Sequence, residues 1–206
     1  MNSILEEFDR QATKLIQSGI PSIANISTDD FSSLLAPLRD KVIQIKSERQ
    51  FPFIIVIKSM LVPPEKIMPL IEIKGVIGEV RMTPLVPADF SPIDNLNIPE
   101  REVYLLADVD TEQKTLNLTP HDALTIIRTD NRYPLTIDEG ISLVFQFPEV
   151  LTDKKKYNCF SASGSRRNDQ RVPAFWMSYK KPRLGWCWDN NPHTWLGSAS
   201  CSGRIG

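Results

Sequence analysis

Gln50-Phe51-Pro52-Phe53-Ile54-Ile55-Val56-Ile57 marks the point at which the texture of this chain turns from helical to extended, and that turn decides the fold class. The run Phe53–Ile57 is apolar without interruption, as in a strand buried on both faces, and is far short of the ~20 residues that a membrane-spanning helix needs. On its N-terminal side Ile4, Leu5, Phe8, Ala12, Leu15 and Ile16 recur at helical spacing behind the capping pattern Ser3-x-x-Glu6, and Gly19 closes the segment. Thr28-Asp29-Asp30 opens a second helix carrying Phe31, Leu34, Leu35, Leu38, Val42 and Ile45, in which Pro37 implies a kink or a late start.

On the C-terminal side the apolar runs are short: Leu70–Ile73, Val76–Val80 and Tyr104–Val109 read as strands, and Pro84, Pro87, Pro92 and Pro99 mark an extended, irregular connection. Two further helices announce themselves. Thr119-Pro120 has Asp122 in the first turn; Thr136-x-x-Glu139 is followed by Ile137, Ile141, Val144 and Phe147 on one side and ended by Pro148. Strands return at Tyr157–Ala162, Val172–Tyr179 and around Leu184–Trp188. Helices before, between and beside strands, without regular βαβ alternation, give an α+β fold with a mixed or antiparallel sheet. Residues 1–50 form a helical N-terminal segment, part of the same domain or a small appendage, and residues 51–206 form the α+β domain. The irregular Trp-rich tail from Leu184 to Gly206 has little periodicity, so side-chain packing rather than a hydrogen-bond ladder is expected to hold it. Trp186, Trp188 and Trp195 are expected in the core, the first two on one strand face.

The 206 residues carry 24 Lys+Arg against 25 Asp+Glu, a balance that hides an asymmetry. Residues 1–153 hold 14 basic and 23 acidic side chains, net −9, whereas residues 154–206 hold 10 and 2, net +8. All four Trp lie in the basic stretch. Such a segment either attracts an anion and offers rings to stack on, or packs against the acidic remainder of its own fold. Glu6, Glu7, Asp9 and Arg10 break any signal-peptide core, so a cytoplasmic protein without membrane contact is expected. The three Cys, an odd count at spacings that match no disulfide framework, are expected to be reduced.

Gly185-Trp186-Cys187-Trp188 followed by Asn191-Pro192-His193-Thr194-Trp195-Leu196-Gly197-Ser198-Ala199-Ser200-Cys201 resembles the C-terminal signature of an uncharacterised bacterial family known only as a domain of unknown function. Cys159-Phe160-Ser161 with Gly164-Ser165-Arg166, Pro134-Leu135-Thr136 with Glu139-Gly140, and Tyr104–Asp110 are similar to further blocks of that family. The resemblance runs from about Arg81 to Arg204. It implies family membership and a bacterial, cytoplasmic origin, and it carries no activity across.

Four sets of residues could carry chemistry. Cys159, Cys187, His193 and Cys201 are the right types for a zinc site, but no two cysteines share a tight turn, so neither metal nor cofactor is expected. Cys187 or Cys201 with His193 as base would be a nucleophile pair, with Asp189 or Asn190 to orient the imidazole. Asp108-x-Asp110-Thr111 at the end of an apolar strand looks like the opening motif of haloacid-dehalogenase-type phosphotransferases, yet the sequence after it departs from that pattern, and turn formation is the default reading. Last, the polar turn Ser161–Arg166 and the turn Gly197–Arg204 could curl their N–H groups around an anion that Arg166, Arg171 and Arg204 fork onto. The leading expectation is therefore a small anionic ligand at Ser165, Arg166, Arg171, Trp195 and Arg204. An enzyme using Cys187, Cys201 and His193 comes second, and a nucleic-acid or protein interaction module third; nucleic acid is not favoured, and nothing fixes the oligomeric state.

Overall fold

Ser3 caps the first helix as its spacing predicts. In the computed structural model, which describes residues 3–111, 113–153 and 159–206, helix α1 runs Ile4–Gln17. The Glu6 N–H donates to Ser3 Oγ (3.1 Å), and the Ser3 N–H donates to Glu6 Oε2 (2.7 Å). Helix α2, Thr28–Val42, is capped by Ser27 and starts at Thr28, so the late start that Pro37 allowed is not taken: the helix runs through the proline and buries Phe31, Leu35, Leu38 and Val42. Helices α3 (Pro120–Thr129) and α4 (Ile137–Gln146) begin at Thr119 and Thr136, each with its cap hydroxyl bonded.

The strands named here are β1 (Phe51–Ile57), β2 (Glu79–Val80), β3 (Val103–Val109), β4 (Phe160–Ser161), β5 (Arg171–Ser178), β6 (Lys181–Trp188), β7 (Gly197–Ser198) and β8 (Gly203–Ile205). They form an antiparallel sheet of order β1-β3-β8 and a mixed sheet of order β7-β4-β5-β6-β2, in which β7 with β4 and β6 with β2 run parallel. The α+β class with mixed and antiparallel sheets holds. The expected strand Val76–Val80 splits at Gly78: Val76–Ile77 pairs with Glu72–Ile73, and Glu79–Val80 joins β6. Lys154–Lys156 and the first two residues of the expected strand Tyr157–Ala162 lie outside the described residues.

Helix α4 fills the space between the sheets. Every one of its residues is buried except Asp138. On one side Ser142 Oγ accepts from the Ile57 N–H of β1 (3.2 Å). On the other, Gly140 lies so close to Phe175 of β5 that a Cβ there would sit 2.5 Å from the ring. Helix α1 packs along the outer edge of β1, where the buried Gln11 amide imitates a neighbouring strand: Oε1 accepts from Ile55 N (2.9 Å) and Nε2 donates to Phe53 O (3.1 Å).

Two tail expectations need correction. Leu184–Trp188 is the end of the long strand β6, and beyond it the tail is held by backbone ladders to three separate partners: β7 on β4, Ser200–Cys201 on Tyr133–Pro134, and β8 on β3. Pairing in two- and three-residue pieces leaves no alternation long enough to be read as a strand. Trp195 is 50% exposed and Trp188 42%, so the aromatic cluster is not a core; Trp186 and Trp188 do share a face, edge to face at 5.5 Å. The β5–β6 hairpin turns at Tyr179-Lys180, both at positive φ as a type I′ turn demands, without the Asn-Gly pair that would announce one.

Candidate functional site

The ladder Ser91–Pro92 with Ser165–Arg166 separates two clefts. Its register places Ser91 opposite Arg166 and Pro92 opposite Ser165. Opposed residues of an antiparallel pair share a face and successive ones alternate, so Ser91 and Arg166 face one way and Pro92 and Ser165 the other. The clefts follow that division: Ser91 and Arg166 line a polar one of about 450 Å³, Pro92 and Ser165 an apolar one of about 650 Å³.

The walls of the apolar cleft are Pro63 and Pro64 after β1, the segment Pro87–Pro92 with Phe90, and Pro99 before β3. Its floor is the N-terminus of α4: Thr136, Ile137 and Asp138, with Ser165 beside them. Gly164 makes this contact possible, because its N–H donates to Leu135 O (2.8 Å) at a spot where a Cβ would lie 2.6 Å from Pro134 O. Ser165 Oγ then accepts from the Ile137 N–H (3.0 Å). Asp138 Oδ2 accepts from the Ser59 N–H (3.0 Å) and hydroxyl (3.2 Å), whereas its Oδ1 is buried with no hydrogen-bond partner among the described residues. Burial pushes its carboxyl above the usual range, outweighing the Ser59 bonds, with Glu139 adding to the rise and Lys58 opposing it.

Beneath this floor lies a closed polar cluster. Arg204, with its side chain 1% exposed, pairs with the fully buried Glu139 (Nη2–Oε2 2.9 Å) and donates to Leu96 O (2.8 Å) and Pro134 O (3.1 Å). Glu139 also takes the Tyr104 hydroxyl (2.6 Å) and the Thr136 N–H (2.7 Å). Burial and the Glu139 charge hold the Tyr104 phenol well above its ordinary value. Every acceptor of Arg204 is thus internal, in the interior between α4, β3 and β8.

Of the remaining predicted ligand residues Arg166 lines the polar cleft, with Arg167, Asn168 and Asp169, and Arg171 reaches it through Asp169. Arg166 pairs with the buried Asp189, which lies 3.6 Å from His121 Nδ1. Asp169 serves both Arg167 and Arg171 (3.2 Å). The Arg171 guanidinium lies 4.4 Å from the Trp186 ring and 4.7 Å from the Trp188 ring, against both members of the edge-to-face pair. Arg166 Nη2 and Arg171 Nε are buried without a partner among the described residues. Trp195 stands apart with His193, ring centroids 5.7 Å apart. Ser165, Arg166, Arg171, Trp195 and Arg204 therefore do not converge: Ser165 faces the apolar cleft, Arg166 and Arg171 border the polar side, Trp195 is exposed and Arg204 is internal.

The thiols are no better assembled for nucleophilic work. All three are free. Burial, with Asp189 adding and Arg166 opposing, pushes Cys187 up to about 12; burial, with Glu139 adding and Arg204 and Arg132 opposing, does the same to Cys201. At neutral pH both are protonated, and the thiol is a poor nucleophile and metal ligand. Among the described residues no three His, Cys, Asp or Glu side chains are gathered to hold a metal ion. Asp108, at positive φ, accepts from Ser47 and Arg132 and lies 3.4 Å from Arg49, while Asp110 pairs with Arg49 at 3.1 Å. Both carboxylates of the Asp108-x-Asp110 motif are thus engaged with arginines.

Asp138, Ser59 and Lys58, three of the polar residues that line the larger cleft, do not stand out in the sequence. The capping box Thr136-x-x-Glu139 places Asp138 in a first turn, where an acidic residue is ordinary. The prolines mark an irregular connection without showing that its pieces converge. Residues 14–206 match a family described as a family of unknown function, DUF5701. The chain belongs to that family. No curated protein and no solved structure matches it. The DUF5701 match extends over the last turn of α1, from Lys14, over all of α2 and over both clefts, so residues 14–50 of the helical N-terminal segment lie within it. Among the described residues of this DUF5701 protein no helix is long and apolar enough to cross a membrane.

Proposed function

We propose that this DUF5701 protein binds a small organic molecule with an apolar body in the proline-walled cleft over the N-terminus of α4. One observation carries the reading: the cleft of about 650 Å³ is largely apolar and has on its floor Asp138, a carboxylate held by Ser59 on Oδ2 and without a partner on its buried Oδ1 among the described residues. Ligand sites are typically concave, apolar and provided with a few oriented polar groups, one of them with a displaced pKa. The neutral fluorophore N-phenyl-1-naphthylamine tests it. Fluorescence should rise on mixing with the wild type and stay flat with Ala88→Trp, which fills the cleft from an exposed position. Equal enhancement by both proteins would place the probe elsewhere and sink the reading.

A second reading keeps a small anionic ligand at the polar cleft, supported by the unpartnered N–H groups of Arg166 and Arg171 and by the Trp186 and Trp188 rings around Arg171. Against it stands the pairing of Arg166 with Asp189 and of Arg167 and Arg171 with Asp169. Calorimetric titration with inorganic phosphate decides: heat of binding that disappears in Arg166→Ala would support it. A nucleic-acid module would need unpaired cations for phosphates, and the same pairings weigh against that too. The protonated thiols weigh against Cys187 or Cys201 acting with His193 as an enzyme. Three free cysteines favour a reducing, cytoplasmic setting.

A further inference from the structure

We propose that the apolar cleft selects molecules bearing a protonated amine, with Asp138 as the group that receives it; this rests on the cleft being the ligand site. Three observations on charge and geometry point the same way. The ionisable side chains lining the cleft are Asp138, Glu65 and Glu100 on the acidic side, the Tyr104 phenol, and Lys58 as the cation. Lys58 Nζ donates to Pro99 O (3.1 Å), which ties it to the wall. Asp138 has one oxygen fixed by two bonds from Ser59 and the other left over, so the carboxylate is already oriented.

The chemistry follows from solvation. A carboxylate withdrawn from water, with Lys58 offsetting the loss only in part, is destabilised, which agrees with the upward displacement of the Asp138 carboxyl. An ammonium group at the Asp138 carboxylate adds the charge that Lys58 supplies only in part, and in a proline-lined cleft the pair forms in a poorer dielectric than water. An anionic head would meet three carboxylates with one tethered lysine to offset them. A neutral hydroxyl can share a hydrogen bond with Asp138 but cannot supply the charge. The apolar walls of Pro63, Pro64, Phe90 and Pro99 fit the body of an aryl or alkyl amine.

A matched pair of competitors tests this on the full-length protein: 1-naphthylmethylamine and 1-naphthalenemethanol, which differ in the charged head, each displacing N-phenyl-1-naphthylamine at pH 7. The amine should displace the probe at a concentration at least about tenfold lower than the alcohol, in keeping with charge-assisted hydrogen bonds being roughly twice as strong as neutral ones. Asp138→Asn should remove that preference by weakening the amine alone, and Glu65→Gln, on the wall, should leave most of it. Equal displacement by amine and alcohol from a cleft that Ala88→Trp blocks would overturn the amine inference and leave the cleft reading standing. An amine preference that survives Asp138→Asn would overturn the role of Asp138. Probe binding that Ala88→Trp does not affect would remove the site itself.

Discussion

The two clefts share a wall two residues thick and differ in almost everything else. On the Arg166 side charges are plentiful and nearly all are paired: Arg166 with Asp189, Arg167 and Arg171 with Asp169. On the Ser165 side the charged side chains are three carboxylates and one lysine, and Asp138 takes its hydrogen bonds from Ser59 and not from a cation. A segment's net charge therefore says little about where a ligand binds. What counts is whether a charge has been answered inside the fold, and among the described residues most C-terminal cations are answered by the chain's own carboxylates.

The sharpest way to break this contrast is beneath the apolar cleft. Arg204→Met removes the partner of the fully buried Glu139 and should cost about 3–5 kcal/mol in urea denaturation, the usual penalty for a stranded buried charge. Arg166→Ala, on the polar side, should cost less, about 1–3 kcal/mol, because its neighbourhood is partly wet. If Arg166→Ala costs more than Arg204→Met, the polar side is the more structural of the two. Next comes Cys187, whose pKa responds to Asp189 and Arg166. With the thiol pushed up to about 12 against ~8.5 when unfolded, iodoacetamide at pH 8 should label it at least about a hundredfold more slowly than in urea. Labelling as fast as in the denatured control would reinstate a reactive cysteine.

Acid titration of stability separates two carboxylates of opposite sign. Burial holds Asp138 above the ordinary ~3.9, so the folded state keeps its proton longer, and stability falls as pH rises from that value through the raised one. Asp108 behaves the other way. Burial raises it, but the Ser47 and Arg132 hydrogen bonds and the Arg132 and Arg49 charges together hold it low, so its contribution is present above ~3.9 and lost as pH falls through the lowered value. Asp138→Asn should flatten the first slope, and Asp108→Asn the second, in denaturation midpoints measured between pH 3 and 7. An unchanged profile in Asp138→Asn would mean that the carboxyl is solvated in the folded protein. The smallest effect is expected at Trp195. The ring is half exposed, so Trp195→Ala should cost under about 1 kcal/mol instead of the ~3–5 of a buried aromatic.

What the sequence made legible was local. Ser3-x-x-Glu6 and Thr136-x-x-Glu139 each close a capping box, and Phe53–Ile57 is the buried strand its composition suggested. What it hid was pairing at long range. Arg204 meets Glu139 across 65 residues, and the tail beyond Trp188 reads as loop because each of its strands there is two or three residues long. Asp138 looked like one more acidic residue in a helix's first turn. Only the convergence of Ser59, the prolines and Ser165 around it turns that residue into the floor of a cleft.

The Gln11 side chain has a consequence beyond the fold it helps to build. Strand β1 is apolar along nearly its whole length and, among the described residues, borders no other strand on its outer side, which makes it the kind of edge onto which a second chain could grow. By occupying Phe53 O and Ile55 N, the amide takes the bonds that such growth would start from. Helix α1 is then a guard against self-association as well as a packing element. Loss of the helix would show first in the colloidal behaviour of the protein, as aggregation.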